Sequence, residues 1–427
     1  MTVPPVGIES VHRTYRELGG DTASDADLVR RVSRRVEVPR DDHADSFILH
    51  APLEVLARAA LLPWAEPDAR PVARLRLAAL VARYEAQAPY VPAPDPTGDG
   101  SPTADLAGAL SAGDLEAADL AAQAVAAAVA PADLAGVLGD AVLPSLAAAG
   151  HAPIFLYLLP RVAPRAEAST AMLRPLVREL ARFPHLQLEW IRDRPSTGGS
   201  PAALDAALRT LPALGVPGST FISPLMHQVD RDVAPTRLGP ALAGVTPAAA
   251  RTVLLRAAAR AMVLGPAQHA PYGWSHALTM TQAAVAIAPR LADPSLGVAV
   301  AATYLTGFLA ALATESIPGT VELDSPGGTF ADALELGMRP SAGRAWHAGR
   351  AEFDEIRTEI VSRVVVRHDA HLIKYTLACL DAMAADPEAG NLYLAAAATL
   401  LAFWTGPGPD GFESDDPLRE VVAGSAG

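Results

Sequence analysis

Ala- and Leu-rich stretches with apolar residues three and four positions apart recur along almost the whole chain. They leave little room for any fold but packed helices. Helices are predicted over Ser24–Val38, His43–Leu62, Arg70–Ala86, Asp105–Ser111, Asp114–Val129, Ala132–Ala148 and Thr170–Phe183. The pattern continues over Ala202–Leu211, Pro247–Val263, Ser275–Ala288, Leu296–Thr314, Phe353–Arg367, His371–Ala385 and Leu392–Trp404. Ala and Leu are strong helix formers, and Asp114 and Pro131–Ala132–Asp133 supply start signals. Strand alternation is confined to one short candidate, Val361–Val366, and Pro153–Leu159 is a short apolar run ended by Pro160. The fold expected is all-α, a large multi-helix domain with long irregular loops.

Breakers divide the chain. The Pro- and Gly-rich stretch over residues 88–103 reads as a linker or loop between an N-terminal helical segment, 1–87, and a main helical region, 104–410. A polar tail, 411–427, follows, and the whole reads as one integrated domain. Arg194–Pro201 is a second loop, and Thr314–Gly349 reads as irregular. With 50% hydrophobic and 19% charged residues, the chain can bury a sizeable core and is not of disordered composition. A net charge of −13 argues against nucleic-acid binding. One cysteine, Cys379, excludes an internal disulfide and a Cys-rich zinc or iron–sulfur site. Met1–Gly20 has no apolar signal region, and Leu296–Ala313, interrupted by Thr303, Tyr304 and Thr306, reads as a core helix rather than a membrane span. A soluble cytoplasmic protein, monomer or homodimer, is expected.

Several motifs fail on inspection. Gly406–Gly411 matches G-x-G-x-x-G, but it follows a helix, and its prolines remove backbone donors that a phosphate needs. No P-loop, H-E-x-x-H or G-x-S-x-G is present. The single E-x-x-H, Glu9 with His12, falls short of the pair a di-iron bundle uses.

Two features carry chemistry. Of 34 basic residues, 33 are Arg and one is Lys374. A buried lysine amine can become neutral and nucleophilic, which Arg cannot. The second feature is the histidines. His50, His151, His276 and His371 sit in apolar helical contexts in separate segments, and His371 and Lys374, three apart, share a helix face. Taken singly, each is more simply a hydrogen-bonded core histidine. Together they make a shared metal site credible, and imidazole suits Fe, Zn, Cu and Ni alike.

The segments around these residues resemble those of a known family. SLAAAGHAPIFLYLLPRV resembles the GxxHPLIHLGYG segment of the questin oxidase-like proteins, and DSFILHAPLEVLARAALL resembles their NHLxHHLLALYALGA segment. HDAHLIKYTLACLDAMAADPEAGNLYLAAAATLLAFW resembles their DxHxxK helix and the helix after it, and WSHALTMTQAAVAI sits where they carry another histidine helix. The resemblance spans roughly residues 40 to 405. Phe155 stands at the second histidine of HPLIH, and the Asn-His of the early segment is replaced around Asp45–Phe47.

The resemblance implies an oxygenase that uses a mononuclear non-heme iron and O2 to cleave or oxidise a ring of an anthraquinone-like aromatic polyketide in natural-product biosynthesis. It implies Fe(II) held by His50, His151, His276 and His371 with a CO2-derived carboxylated Lys374. NADPH or another external reductant is a further candidate cofactor. A carbamate on Lys374 would be an anionic oxygen ligand, stabilised by the metal it binds. Tyr157, Tyr272, Trp274, Tyr304 and Tyr375 are candidates to line an aromatic substrate pocket, Tyr157 and Tyr272 also candidate catalytic residues, and His227 and His269 candidates to orient substrate or to act as acid or base. Two other readings stay open: a zinc-dependent hydrolase or lyase on the same scaffold, and a non-catalytic helical interaction protein.

Overall fold

The computed structural model describes residues 6–41, 47–87, 89–92, 101–166, 168–195, 197–210, 222–405 and 416–425. The described residues are mostly helical, with no sheet among them beyond the isolated bridges Arg40–Tyr90 and Ser145–Gln187. The first part holds α1 (Ile8–Glu17), α2 (Asp25–Val36), α3 (Phe47–Leu61), α4 (Arg70–Glu85), α5 (Pro102–Ala112), α6 (Leu115–Ala128) and α7 (Leu134–Val142). Next come α8 (Ala152–Ala166), α9 (Arg174–Arg182), α10 (Pro201–Arg209), α11 (Ile222–Gln228), α12 (Gly239–Leu242), α13 (Pro247–Leu264), α14 (Ser275–Ile287) and α15 (Pro294–Leu312). The remainder is α16 (Phe330–Leu336), α17 (Met338–Trp346), α18 (Arg350–Val365), α19 (Ala370–Ala385), α20 (Gly390–Thr405) and α21 (Arg419–Ser425).

Many helices start where a side chain can accept an orphan backbone N–H. Ser24, Asp114, Ser200, Thr246, Asp293 and Asp369 each cap the helix that follows. One apolar core runs from Val11 to Leu418, so N-terminal and C-terminal helices share it. At its centre α3, α8, α14 and α19 pack against one another, with α15 behind α14 and α20 behind α19. Phe47–Trp64 and Pro294–Leu312 are long and apolar enough to cross a membrane, yet other helices cover most of each.

The structure departs from the sequence reading in four places. Val361–Val366 is the end of a helix, not a strand. Ile356, Ile360, Val361, Val364 and Val365 are buried at helical spacing, and that packing overrides β-branched propensity. The run 153–159 is helical too and continues through Pro160 and Pro164, burial of its apolar face offsetting the lost backbone donors. Within Ala132–Ala148, α7 stops at Val142 and a tight turn follows. The stretch 314–349 contains α16 and α17. Thr329 and Asp332 form a capping box that starts the first, and Gly337, at φ +106°, separates the two. The predicted start of the second helix at His43, residues 93–100 of the linker, the Gly406–Gly411 string and residues 411–415 of the tail lie outside the described residues.

Candidate metal centre

Four helices deliver one histidine each to a single place. His50 sits in the first turn of α3, His151 immediately precedes α8, His276 is in the first turn of α14 and His371 in that of α19. The ring centroids of His50 lie 4.7 Å from His151, 6.3 Å from His276 and 4.6 Å from His371. His276 is 5.6 Å from His151 and 4.7 Å from His371. One ring nitrogen from each of His50, His276 and His371 falls within a 4.8 Å span. His151 closes the group, its Nε2 3.1 Å from His50 Nε2.

The outer face of each ring explains how it is aimed. A carbonyl oxygen accepts only, so His151 Nδ1, 2.6 Å from the Ala148 oxygen, carries the proton. Its Nε2 then accepts from the Nε2–H of His50 at 3.1 Å, and would be free for an ion only if His50 turned that proton away. His276 Nδ1 donates in the same way to the Tyr272 oxygen, and His371 Nδ1 faces the Asp369 carboxylate at 3.5 Å. Such outer partners fix the tautomer of a metal-binding imidazole. The Ala148 carbonyl is turned inward by a left-handed turn, with Ala148 at φ 54°, Ala149 at 48° and Gly150 at 77°. Gly150 is required there. A Cβ would stand 2.7 Å from the Tyr304 ring, besides the unfavourable φ.

Lys374, on the same face of α19 as His371, is 3% exposed, and its Nζ has no hydrogen-bond partner. Burial brings its amine down to about 7, against the opposing pull of Asp369 and Glu54. Burial likewise holds His50, His151 and His276 far below the usual imidazole range, and the neighbouring Lys374 and histidine charges add to this. His371 is also lowered by burial, with Asp369 resisting. Four neutral imidazoles and a readily deprotonated amine are the donor set a divalent transition metal takes. The inward lone pairs of His276 and His371 and an orphaned amine fit such an ion better than they fit a self-sufficient core.

The other sequence candidates fall elsewhere. Tyr272 lies beside the cluster. Its ring packs 4.9 Å from His371 and 6.5 Å from Trp404, and it is 39% exposed. Tyr157 is about 9 Å further along α8 than His151. Its hydroxyl donates to Asp381 at 2.9 Å beside Arg161, so it belongs to a separate polar cluster and not to the histidine group. Burial and the Asp381 charge push that phenol up to about 12. His269 is half-buried against Trp274, and His227 is exposed on α11 near Asp230 and Asp232; neither joins the cluster. The sequence reading missed Glu54, Arg58 and Phe308. Phe308 stacks on His276 at 6.3 Å. Glu54 and Arg58 follow His50 at intervals of four in an otherwise apolar helix, and that spacing of charge was the available signal. No protein family, curated protein or solved structure matches this chain.

Proposed function

We propose that the chain is a metal-dependent oxygenase acting on an aromatic polyketide, using a mononuclear non-heme iron and O2. The observation that carries the reading is the convergence of His50, His151, His276 and His371, with a buried lysine whose amine has no partner one turn along α19 from His371. The resemblance of the four histidine segments to the questin oxidase-like proteins supplies the substrate class. His50, His151, His276, His371 and a carboxylated Lys374 would hold the ion. Fe(II) so held would supply electrons to O2 at an open position.

The chain's own residues set the conditions for that chemistry. The acceptors at Ala148, Tyr272 and Asp369 keep protons on the outer nitrogens and lone pairs inside. Burial of His50, His151 and His276 keeps bulk water from those rings, while His371 is partly exposed. Tyr272, 39% exposed beside His371, offers an aromatic face of the kind on which a planar polycyclic substrate stacks. Two stoichiometries are open to such a site. Cleavage of a C–C bond with both O2 atoms retained needs no outside electrons. Insertion of one oxygen atom, with the other released as water, draws two electrons from NADPH or another external reductant.

The test is turnover of anthraquinones by iron-loaded protein under 18O2, with product mass read out. Incorporation of one or two labelled oxygens, absent in His371→Ala, is expected. Activity without O2 in zinc-loaded protein would replace this reading with a hydrolase or lyase.

A further inference from the structure

Two arginines buried outside the histidine group hold the corner between α18 and α19. Arg58, on α3, is 1% exposed. Its guanidinium reaches Glu54 at 2.5 and 2.7 Å and donates to the carbonyl oxygens of Val365 at 2.6 Å and Arg367 at 2.5 Å. Arg76, on α4, donates to the Val366 oxygen at 2.7 Å and forms a bidentate pair with Asp416. Three successive carbonyls at the end of α18 are therefore taken by side chains from two other helices. Carbonyls at a helix end have no partner within the helix, so this accounts for groups that would otherwise be orphaned.

The position of this clamp matters. Arg367 is followed by Asp369, which caps α19 through the Leu372 N–H at 2.8 Å and faces His371. On the other side, Glu54 and Arg58 lie one and two turns beyond His50 on the same face of α3. One guanidinium thus joins the helix that carries His50 to the corner that launches His371 and Lys374. If α3 slid against α19, the contacts of Arg58 would break and the 4.6 Å spacing of the two rings would change together.

We infer that Arg58 is a positioning residue of the metal centre, setting the register of His50 against His371. This rests on the metal reading above. Lysine cannot take the role, because its point charge cannot serve a carboxylate and two carbonyls in one plane.

The test is a Co(II) titration of the full chain, following visible absorption, alongside thermal unfolding of metal-free protein. Arg58→Lys is compared with Arg174→Lys, a control in the buried Arg174–Asp119 pair on α9 and α6, which carry no clustered histidine. Loss of a group bonded directly to a ligand costs roughly 10- to 100-fold in metal affinity, and Arg58, which acts through the α18–α19 corner, should cost about the lower end of that range. That loss, with an altered absorption band, is expected for Arg58→Lys alone, while both variants unfold at lower temperature. If Arg58→Lys does not fold, the double variant Glu54→Gln/Arg58→Met, which removes both charges, carries the comparison. Equal Co(II) affinity in the Arg58 and Arg174 variants overturns the inference. Failure of the wild-type protein to bind Co(II) overturns the metal reading, and this inference with it.

Discussion

Two buried polar groups in this protein solve the same problem in opposite ways. In the first, Asp119 on α6 meets Arg174 at 2.5 and 3.1 Å and Arg178 at 3.4 Å, both on α9. One carboxylate serves two guanidiniums, and both its oxygens are used. In the second, four imidazoles point nitrogens at a common centre and a lysine amine goes without a partner. A buried polar group left unsatisfied costs about 1 to 3 kcal/mol. The ion cluster is complete as it stands, and the histidine cluster asks for something more. That difference is what makes the histidine cluster the candidate site.

Breaking each cluster should give opposite signatures. Asp119→Ala strands two arginine charges in the interior, and loss of one partner from a buried pair costs about 3–5 kcal/mol. Urea unfolding should show this loss whether or not metal is added. His276→Ala should show the reverse pattern. Metal-free stability should move by no more than about 1–2 kcal/mol, while the stabilisation conferred by added metal disappears. Equal losses with and without metal in His276→Ala would make the two clusters the same kind of object.

A smaller effect is expected at the turn that aims His151. Gly150→Ala places a methyl against Tyr304 at positive φ, and a loss of about 1–3 kcal/mol should accompany weaker Co(II) binding. Full Co(II) affinity in that variant would show that the turn does not aim the ring.

The Arg76–Asp416 pair extends the comparison to pH. Burial alone would raise the Asp416 carboxyl, but its pairing with Arg76 holds it below the ordinary 3.8. A carboxyl depressed in the folded state stabilises above its unfolded value, and that contribution is lost as pH falls through the folded value. The stability difference between wild type and Asp416→Asn should therefore be constant near neutrality and shrink below about pH 4. A difference that shrinks between pH 6 and 8 would contradict the assignment. The smallest effect is expected for Tyr304→Phe. The Tyr304 hydroxyl is buried without a partner, so its removal should leave stability unchanged or raise it by up to about 1 kcal/mol. A clear loss in thermal unfolding would reveal a partner for that hydroxyl.

How much of this could be read from the sequence follows from what is local. Helices such as Asp25–Val36, Pro247–Leu264 and Ala370–Ala385 match their predicted spans closely, because cap and period are both written in adjacent residues. Helices α16 and α17 were hidden by Gly and Pro around a Thr329–Asp332 box, and α8 by prolines inside it. Which histidines meet is not local. His50, His151, His276 and His371 were separable from His227 and His269 only by their apolar surroundings. The acceptors that aim them, such as the Ala148 carbonyl, depend on a turn that composition does not announce. Tyr157 was attractive as an aromatic near His151, yet six residues of helix turn it toward Asp381 instead.

The central claim is that the histidine cluster with Lys374 holds a metal ion. Elemental mass spectrometry of anaerobically purified protein, wild type beside Lys374→Arg, tests it most directly. The account predicts about one iron per chain in the wild type and a sharp reduction in the variant, because arginine cannot lose its proton or form the carbamate. No metal in either protein, or as much in the variant as in the wild type, would contradict it.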